Sequence, residues 1–314
     1  MKTALCFTPD LAFFRPAVLT AASLIAQGDG DAFDIFIVCE RDDVPPDFDL
    51  VDPMLRARLN LLICDFSRFD SGLSERGRFT RAVFRRLFLD RVLPETYARY
   101  IAMDADMLVV RPGLSRLAEL SLGGYPIAAA FDMIYLMDKK GGALARQFQS
   151  YRQSLGLDLT TRYFNAGLMV VDRAAWRAGE FGERAARALR LAPEKYPFME
   201  QSALNSLIAG RFAPLSPRYN FMGDFLLLEL EERMAPIVMH FVNSPKPWHF
   251  DRWRGETRFA RDYQAGFAKL PWPDWPVAAD LVSRPPLKPR LTPARRRFAE
   301  RLTEFLDGVD FIDL

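Results

Sequence analysis

Tyr100-Ile101-Ala102-Met103-Asp104-Ala105-Asp106-Met107-Leu108-Val109-Val110 sets two aspartates between two apolar runs. The first run reads as a buried strand. Both carboxylates then stand at its carboxyl end, where ionised groups are costly without a counter-charge. A divalent cation with a taste for hard oxygen ligands, Mn²⁺ or Mg²⁺, supplies that charge; an arginine partner supplies it structurally. The context decides more than the pattern, because Asp-x-Asp occurs three times. Asp29-Gly30-Asp31 sits among glycines and reads as a turn, and Asp47-Phe48-Asp49 follows Pro45-Pro46 and reads as a solvated loop.

Outward from this stretch, short apolar runs alternate with longer helical patterns through the first 215 residues or so. Strands are expected over Thr3–Phe7, Phe33–Cys39, Asn60–Asp65, Arg99–Met103, Ile127–Phe131 and Gly167–Val171. Helices are expected over Phe14–Gln27, Arg78–Arg91, Ala143–Leu155, Ala174–Leu191 and Ser202–Ala209. Strand–helix alternation predicts an α/β sandwich around a mainly parallel sheet. Ligands in such folds sit beyond the carboxyl ends of the strands. Composition shifts near Pro271, so residues 1–270 read as the catalytic domain and 271–314 as a Pro- and Arg-rich extension outside it. Between positions 284 and 301 this tail holds Arg284, Lys288, Arg290, Arg295, Arg296, Arg297 and Arg301 against the single acid Glu300. Such a tail is expected to offer peripheral contact to an anionic membrane surface.

The whole chain carries 42 basic and 40 acidic residues, a net charge of +2, which argues against a uniformly basic nucleic-acid binder. With 50% hydrophobic residues over 314 positions, a disordered chain and a small disulfide-stapled module are also excluded. Cys6, Cys39 and Cys64 are odd in number and lie in or at the ends of apolar runs. They read as free thiols in strands, which fits a reducing compartment. With no long uncharged run and no secretory layout at the start, the chain reads as soluble and cytoplasmic.

Three further segments carry chemistry. Tyr163-Phe164-Asn165-Ala166-Gly167 is a small-residue turn opening an apolar run, and Glu200-Gln201 enters a helical pattern, where an acid favours the dipole. His240-Phe241-Val242-Asn243-Ser244-Pro245-Lys246-Pro247-Trp248-His249 follows Ile237-Val238-Met239 and reads as an anion site, with an imidazole for metal and an ammonium for phosphate. On a helical wheel, Arg78, Arg81 and Arg85 share a polar stripe, whereas Arg86 falls beside Phe79 and Val83 and needs a buried acceptor.

Taken in order, these segments resemble the retaining glycosyltransferases of family 8, from about residue 3 to 255. The resemblance rests on the DxD of Asp104 and Asp106, the FNAG turn, and the H-x₅-KPW box of His240, Lys246 and Trp248. Phe84-Arg85-Arg86-Leu87 and Asp10 occupy positions like two further family motifs. It implies a GT-A (Rossmann-like) sandwich and a metal-dependent transfer of a hexose, glucose or galactose, from a UDP-sugar. The acceptor would be a glycan or a lipid-linked saccharide. Carried over by position, Asp104, Asp106 and His240 would be metal ligands, for Mn²⁺ or Mg²⁺. Thr8, Asp10, Phe13, Arg86, Ala105, Asn165, Ala166, Asn243 and Lys246 would join the two aspartates in holding the nucleotide sugar. Gln201, Glu200, Asp132 and Asn165 would surround the reacting sugar, with Gln201 at the anomeric carbon in a front-face mechanism. This chain departs from the family at Ala12, Glu200, Ser202 and Asn243, positions that bear on sugar identity and the diphosphate. A nucleotidyltransferase and a non-catalytic nucleotide-sugar binder are the competing readings.

Overall fold

The computed structural model describes residues 3–77, 79–243, 246–248, 262–263, 265–272 and 291–313. The strands among the described residues are β1 (Thr3–Phe7), β2 (Phe33–Cys39), β3 (Leu59–Ile63), β4 (Arg99–Met103), β5 (Met107–Val109), β6 (Ile127–Phe131), β7 (Phe164–Asp172), β8 (Ala213–Leu215), β9 (Phe221–Met222) and β10 (Val238–His240). The main sheet runs β3-β2-β1-β4-β7-β6-β8, and a small sheet runs β5-β10-β9. All pairings in the main sheet are parallel except those of β7, which lies antiparallel to β4 and β6. The α/β fold with a mostly parallel central sheet is therefore as expected. Every residue of β1 and β6 is buried, as befits strands covered on both faces.

Topology gathers the chemistry at one edge. The carboxyl ends of β1, β4 and β6 lead into Thr8–Asp10, Asp104 and Asp132, and the reversed β7 brings its first residues, with Asn165, to that same edge. Here β5 turns back after Asp106 and pairs with β10, which delivers His240 opposite Met107. Helix α1 (Leu11–Ala26) supports this turn from behind. The hydroxyl of its buried Thr20 lies 2.7 Å from the Met107 carbonyl and 2.9 Å from that of Ala105, and Ser23 Oγ accepts from Val109 N–H at 2.9 Å.

Helices differ more from expectation than strands. The stretch read as Arg78–Arg91 is broken into Ala82–Arg85, a 3₁₀ turn at Arg86–Phe88, and Leu89–Val92. Arg85 does not belong to a polar stripe. It is 4% exposed, donates to the Pro9 carbonyl at 2.6 Å and pairs with Asp43 and Glu40. The stretch read as Ala174–Leu191 divides at Gly179-Glu180, where Glu180 takes a left-handed φ of 49°. Further helices are α2 (Gly142–Ser154), α3 (Phe181–Leu191), α4 (Met199–Ile208) and α5 (Pro293–Asp307).

Helix α5 buries Phe298, Ala299, Leu302 and Leu306 against the body of the molecule, and its Phe305 lies 6.1 Å from Phe131 and 6.0 Å from Tyr135. The tail read as standing apart thus ends in a helix seated on the segment after β6. Arg296, Arg297 and Arg301 remain exposed on it. The basic residues Arg284, Lys288 and Arg290 lie in residues 273–290, outside the described residues, and His249 is also outside them. Cys6 and Cys39 are buried free thiols in strands, and Cys64 is a half-buried one just past β3. No described helix is long and apolar enough to cross a membrane.

Candidate active site

Thr8, Asp10, Phe13, Arg86, Asp104, Ala105, Asp106, Asp132, Asn165, Ala166, Glu200, Gln201, His240, Asn243 and Lys246 all line one cavity of about 440 Å³ at this sheet edge. Asp104, Asp106 and His240 each offer a ligand atom, and those atoms lie within 4.8 Å of one another. His240 Nε2 is 3.4 Å from an oxygen of each aspartate. Gly167 leaves room for the cluster. A Cβ there would collide with His240 Cε1 and stand 2.9 Å from Asp104 Oδ2. Two hard oxygens and an imidazole in such reach fit a divalent cation.

Both aspartates also have protein counter-charges. Arg86 donates to Asp104 and, at 2.6 Å, to the Ala166 carbonyl. Lys246 Nζ is 2.5 Å from Asp106 Oδ2 and 2.7 Å from the Phe241 carbonyl. The acceptors of Arg86 are therefore a half-buried carboxylate and a buried main-chain carbonyl. Burial alone would raise both Asp carboxyls. Arg86 and His240 outweigh it at Asp104, and Lys246 and His240 at Asp106, so both sit below the ordinary carboxylate range. Burial lowers the His240 imidazole, but the two aspartates lift it to about 8.

A second set of acids behaves otherwise. Asp132 caps the helix Met133–Leu136 by accepting from Ile134 N–H at 2.8 Å, and its other oxygen accepts from Asn165 Nδ2 at 2.7 Å and Gln201 Nε2 at 3.3 Å. Burial still pushes its carboxyl above the ordinary value. Glu200 is 7% exposed, its Oε1 stands 3.6 Å from Arg86 Nε, and its Oε2 has no hydrogen-bond partner among the described residues. Burial pushes it up to about 7, against the pull of Arg86. Met199, just before it, holds a left-handed φ of 48°, costly backbone of the kind found where side chains must be aimed. Asn205 pins α4 to β7 by exchanging bonds of 2.9 and 3.0 Å with Phe164, so Gln201 Oε1 meets Ala166 N–H at 2.9 Å.

Several expectations change on this geometry. Ser202 does not line the cavity; it is fully buried, 2.7 Å from the Tyr151 hydroxyl, and accepts from Phe198 N–H. Ala12 also lies off the lining, and Asn243 is exposed at the rim. Asp10 caps α1 through Phe13 N–H and accepts from Thr80 at 2.7 Å, and Phe13 meets Trp248 edge-on at 5.3 Å. Of the other aspartate pairs, Asp29 is buried, accepting from Gly113 and Leu114 N–H, and Asp47 pairs with Arg15.

Sequence reading missed Asp224, Thr80 and Phe198 of the lining and the buried Asn220 behind it. Thr80 and Asp224 stand in no motif, and Asn220 follows Pro217-Arg218-Tyr219 with nothing to mark it.

The family model described as Glycosyl transferase family 8 matches residues 53–252. General stress protein A of Bacillus subtilis (strain 168) is 27% identical over 191 residues, 56% of this chain and 62% of that protein. Lipopolysaccharide 1,2-glucosyltransferase of Escherichia coli (strain K12) is 25% identical over 206 residues, 62% of this chain and 56% of that one. The chain thus spans about three-fifths of the length of these two curated relatives. Among solved structures, galactosyltransferase LgtC in complex with donor and acceptor sugar analogs superposes with a TM-score of 0.69 at 19% identity, covering 86% of this chain and 96% of that one.

Proposed function

The chain belongs to glycosyl transferase family 8, and from that premise we propose that it is a metal-dependent, retaining hexosyltransferase. It moves glucose or galactose from a UDP-sugar to a saccharide acceptor, free or lipid-linked, of the kind met in lipopolysaccharide assembly. One observation supports the reading: three side chains with ligand atoms within 4.8 Å of one another share a single cavity with a group of acids and amides.

Asp104, Asp106 and His240 would hold the cation, Mn²⁺ or Mg²⁺. When bound, it stabilises the negative charge that develops on the departing diphosphate. Lys246 adds a second positive charge there, exchanging Asp106 for phosphate oxygens. Asp10 faces the base or ribose, Phe13 stacks on the base, and Thr8, Ala105, Ala166 and Asn243 complete the donor cradle. Arg86, Asp132, Asn165 and Glu200 hold the sugar hydroxyls. Gln201 orients the anomeric carbon as the acceptor enters on the face that UDP leaves; a neutral amide makes a poor nucleophile, so no covalent intermediate is invoked. Ile134, Met137, Leu144 and Phe148 also line the cavity, and we assign this apolar group to the acceptor. Peripheral attachment from the cytoplasmic side through Arg296, Arg297 and Arg301 fits a lipid-linked acceptor. Replacing those three arginines by glutamate should weaken binding to anionic liposomes in low salt and leave transfer to a soluble acceptor unchanged.

A panel of UDP-hexoses with Mn²⁺, scored for UDP release and product anomer, tests the proposal. Retained anomeric configuration with UDP release supports it. Inversion, activity indifferent to chelation, pyrophosphate release, or binding without turnover each contradicts it, the last two in favour of a nucleotidyltransferase and a nucleotide-sugar binder respectively.

A further inference from the structure

We propose that Asn220 is a positioning residue that fixes the His240 ring with its proton on Nδ1, so that Nε2 turns a lone pair toward Asp104 and Asp106. The inference rests on the metal role given to His240 above and extends it to a residue that belongs to none of the motifs. Asn220 is fully buried, in the link to β9, whose Met222 pairs with His240 of β10.

Two main-chain and carboxylate contacts dictate the orientation of the chain of amides. Gly167 N–H can only donate, and it points at Asn165 Oδ1 at 2.9 Å. The Asp132 carboxylate, which already accepts from Ile134 N–H and Gln201, takes the Asn165 NH₂ at 2.7 Å. Asn165 is thereby fixed from both sides. Its Oδ1 must accept again from Asn220 Nδ2 at 2.8 Å, which turns Asn220 Oδ1 toward His240 Nδ1, also at 2.8 Å. An amide oxygen offers only lone pairs, so Nδ1 must carry the hydrogen. In the neutral ring Nε2 is then unprotonated, and Nε2 is the atom that stands 3.4 Å from each aspartate. Ligating imidazoles behave in this way, with the distal N–H held by a fixed acceptor. Here the acceptor is an amide whose own orientation is read from Gly167 and Asp132, so the tautomer is set by groups on the sugar side of the cavity.

The chain has two histidines, which makes the test direct. The full chain, metal-free and labelled with ¹⁵N-histidine, is examined by long-range ¹H–¹⁵N correlation at alkaline pH, and His249→Gln leaves the His240 signals alone. The expected result is a protonated Nδ1 and a bare Nε2, with a shift toward the Nε2–H form in Asn220→Ala. A neutral wild-type ring protonated at Nε2 would overturn the proposal, and this readout holds even where Asn220→Ala fails to fold. In a folded Asn220→Ala variant, affinity for Mn²⁺ alone, followed by the electron paramagnetic resonance of the free ion, should fall roughly 10- to 100-fold. An unchanged affinity also overturns it. Failure of the unsubstituted chain to bind Mn²⁺ would count instead against the function proposed above, while the tautomer spectrum still decides the role of Asn220.

Discussion

Asp104 and Asp106 meet Arg86, His240 and Lys246, and their carboxyls are held below the ordinary range. Asp132 and Glu200 line the same cavity yet are pushed above it, because burial there is not answered by a comparable cluster of cations. On the proposed function, that contrast divides one small cavity between two tasks. Carboxylates kept ionised suit a cation and the phosphates it accompanies; an acid pushed toward neutrality can donate as well as accept, which suits sugar hydroxyls. Arg86 joins the two groups, bonded to Asp104 and 3.6 Å from Glu200.

Asp106→Asn attacks the ionised group and should have the largest effect. The substitution keeps shape and removes charge, so turnover should fall by roughly a thousandfold, with loss of Mn²⁺ binding measured by calorimetry. Turnover near that of the wild type would dissolve the contrast.

Glu200→Gln probes the other group. UDP and metal binding should persist while kcat drops by about a hundredfold. Stability should respond to pH with a definite sign. Because folding raises the Glu200 pKa from 4.5 to about 7, the folded protein binds the extra proton. Its stabilising effect is complete below about pH 4.5 and lost as pH rises to about 7, by roughly 3 kcal/mol at most. The thermal unfolding temperature of the metal-free protein should therefore decline across that window more steeply in the wild type than in the variant, which keeps only the smaller share of other buried acids such as Asp132.

Gly167→Ala tests the room left for the ligand set. The added methyl collides with His240 and crowds Asn165 and Asp104. Mn²⁺ affinity should fall roughly tenfold or more, with about 1–3 kcal/mol of stability lost in chemical denaturation. Ser202→Ala should do least. It removes the bonds to Tyr151 and Phe198 N–H behind the cavity, at a cost of about 1 kcal/mol in denaturation, and leaves kcat and donor preference as they were.

The strands of the main sheet were legible because parallel strands are continuous apolar runs. Thr3–Phe7, Phe33–Cys39, Arg99–Met103 and Ile127–Phe131 have the bounds expected from such runs. The two- and three-residue strands β8 and β9 fall below any periodic signal. The broken helix around Arg86 was not legible for a different reason. Arg85 and Arg86 are adjacent and both buried, yet one bonds Pro9 and Asp43 while the other bonds Ala166 and Asp104, and a helical wheel assigns a face without naming an acceptor. Ser202 misled in the opposite direction. It neighbours Gln201 in sequence, but a helix turns about 100° per residue, and that turn points it at Tyr151. Asn220 is set by tertiary contacts alone and left no trace in the pattern.

On the proposed function, the ionised acids bind the cation and the raised acids act on the sugar. Calorimetric titration of UDP with Mn²⁺ into Asp106→Asn and Glu200→Gln, side by side with the wild type, tests it most directly. Asp106→Asn should lose Mn²⁺-dependent UDP binding, and Glu200→Gln should bind as the wild type does. Equal loss in both variants, or full binding in Asp106→Asn, would contradict it.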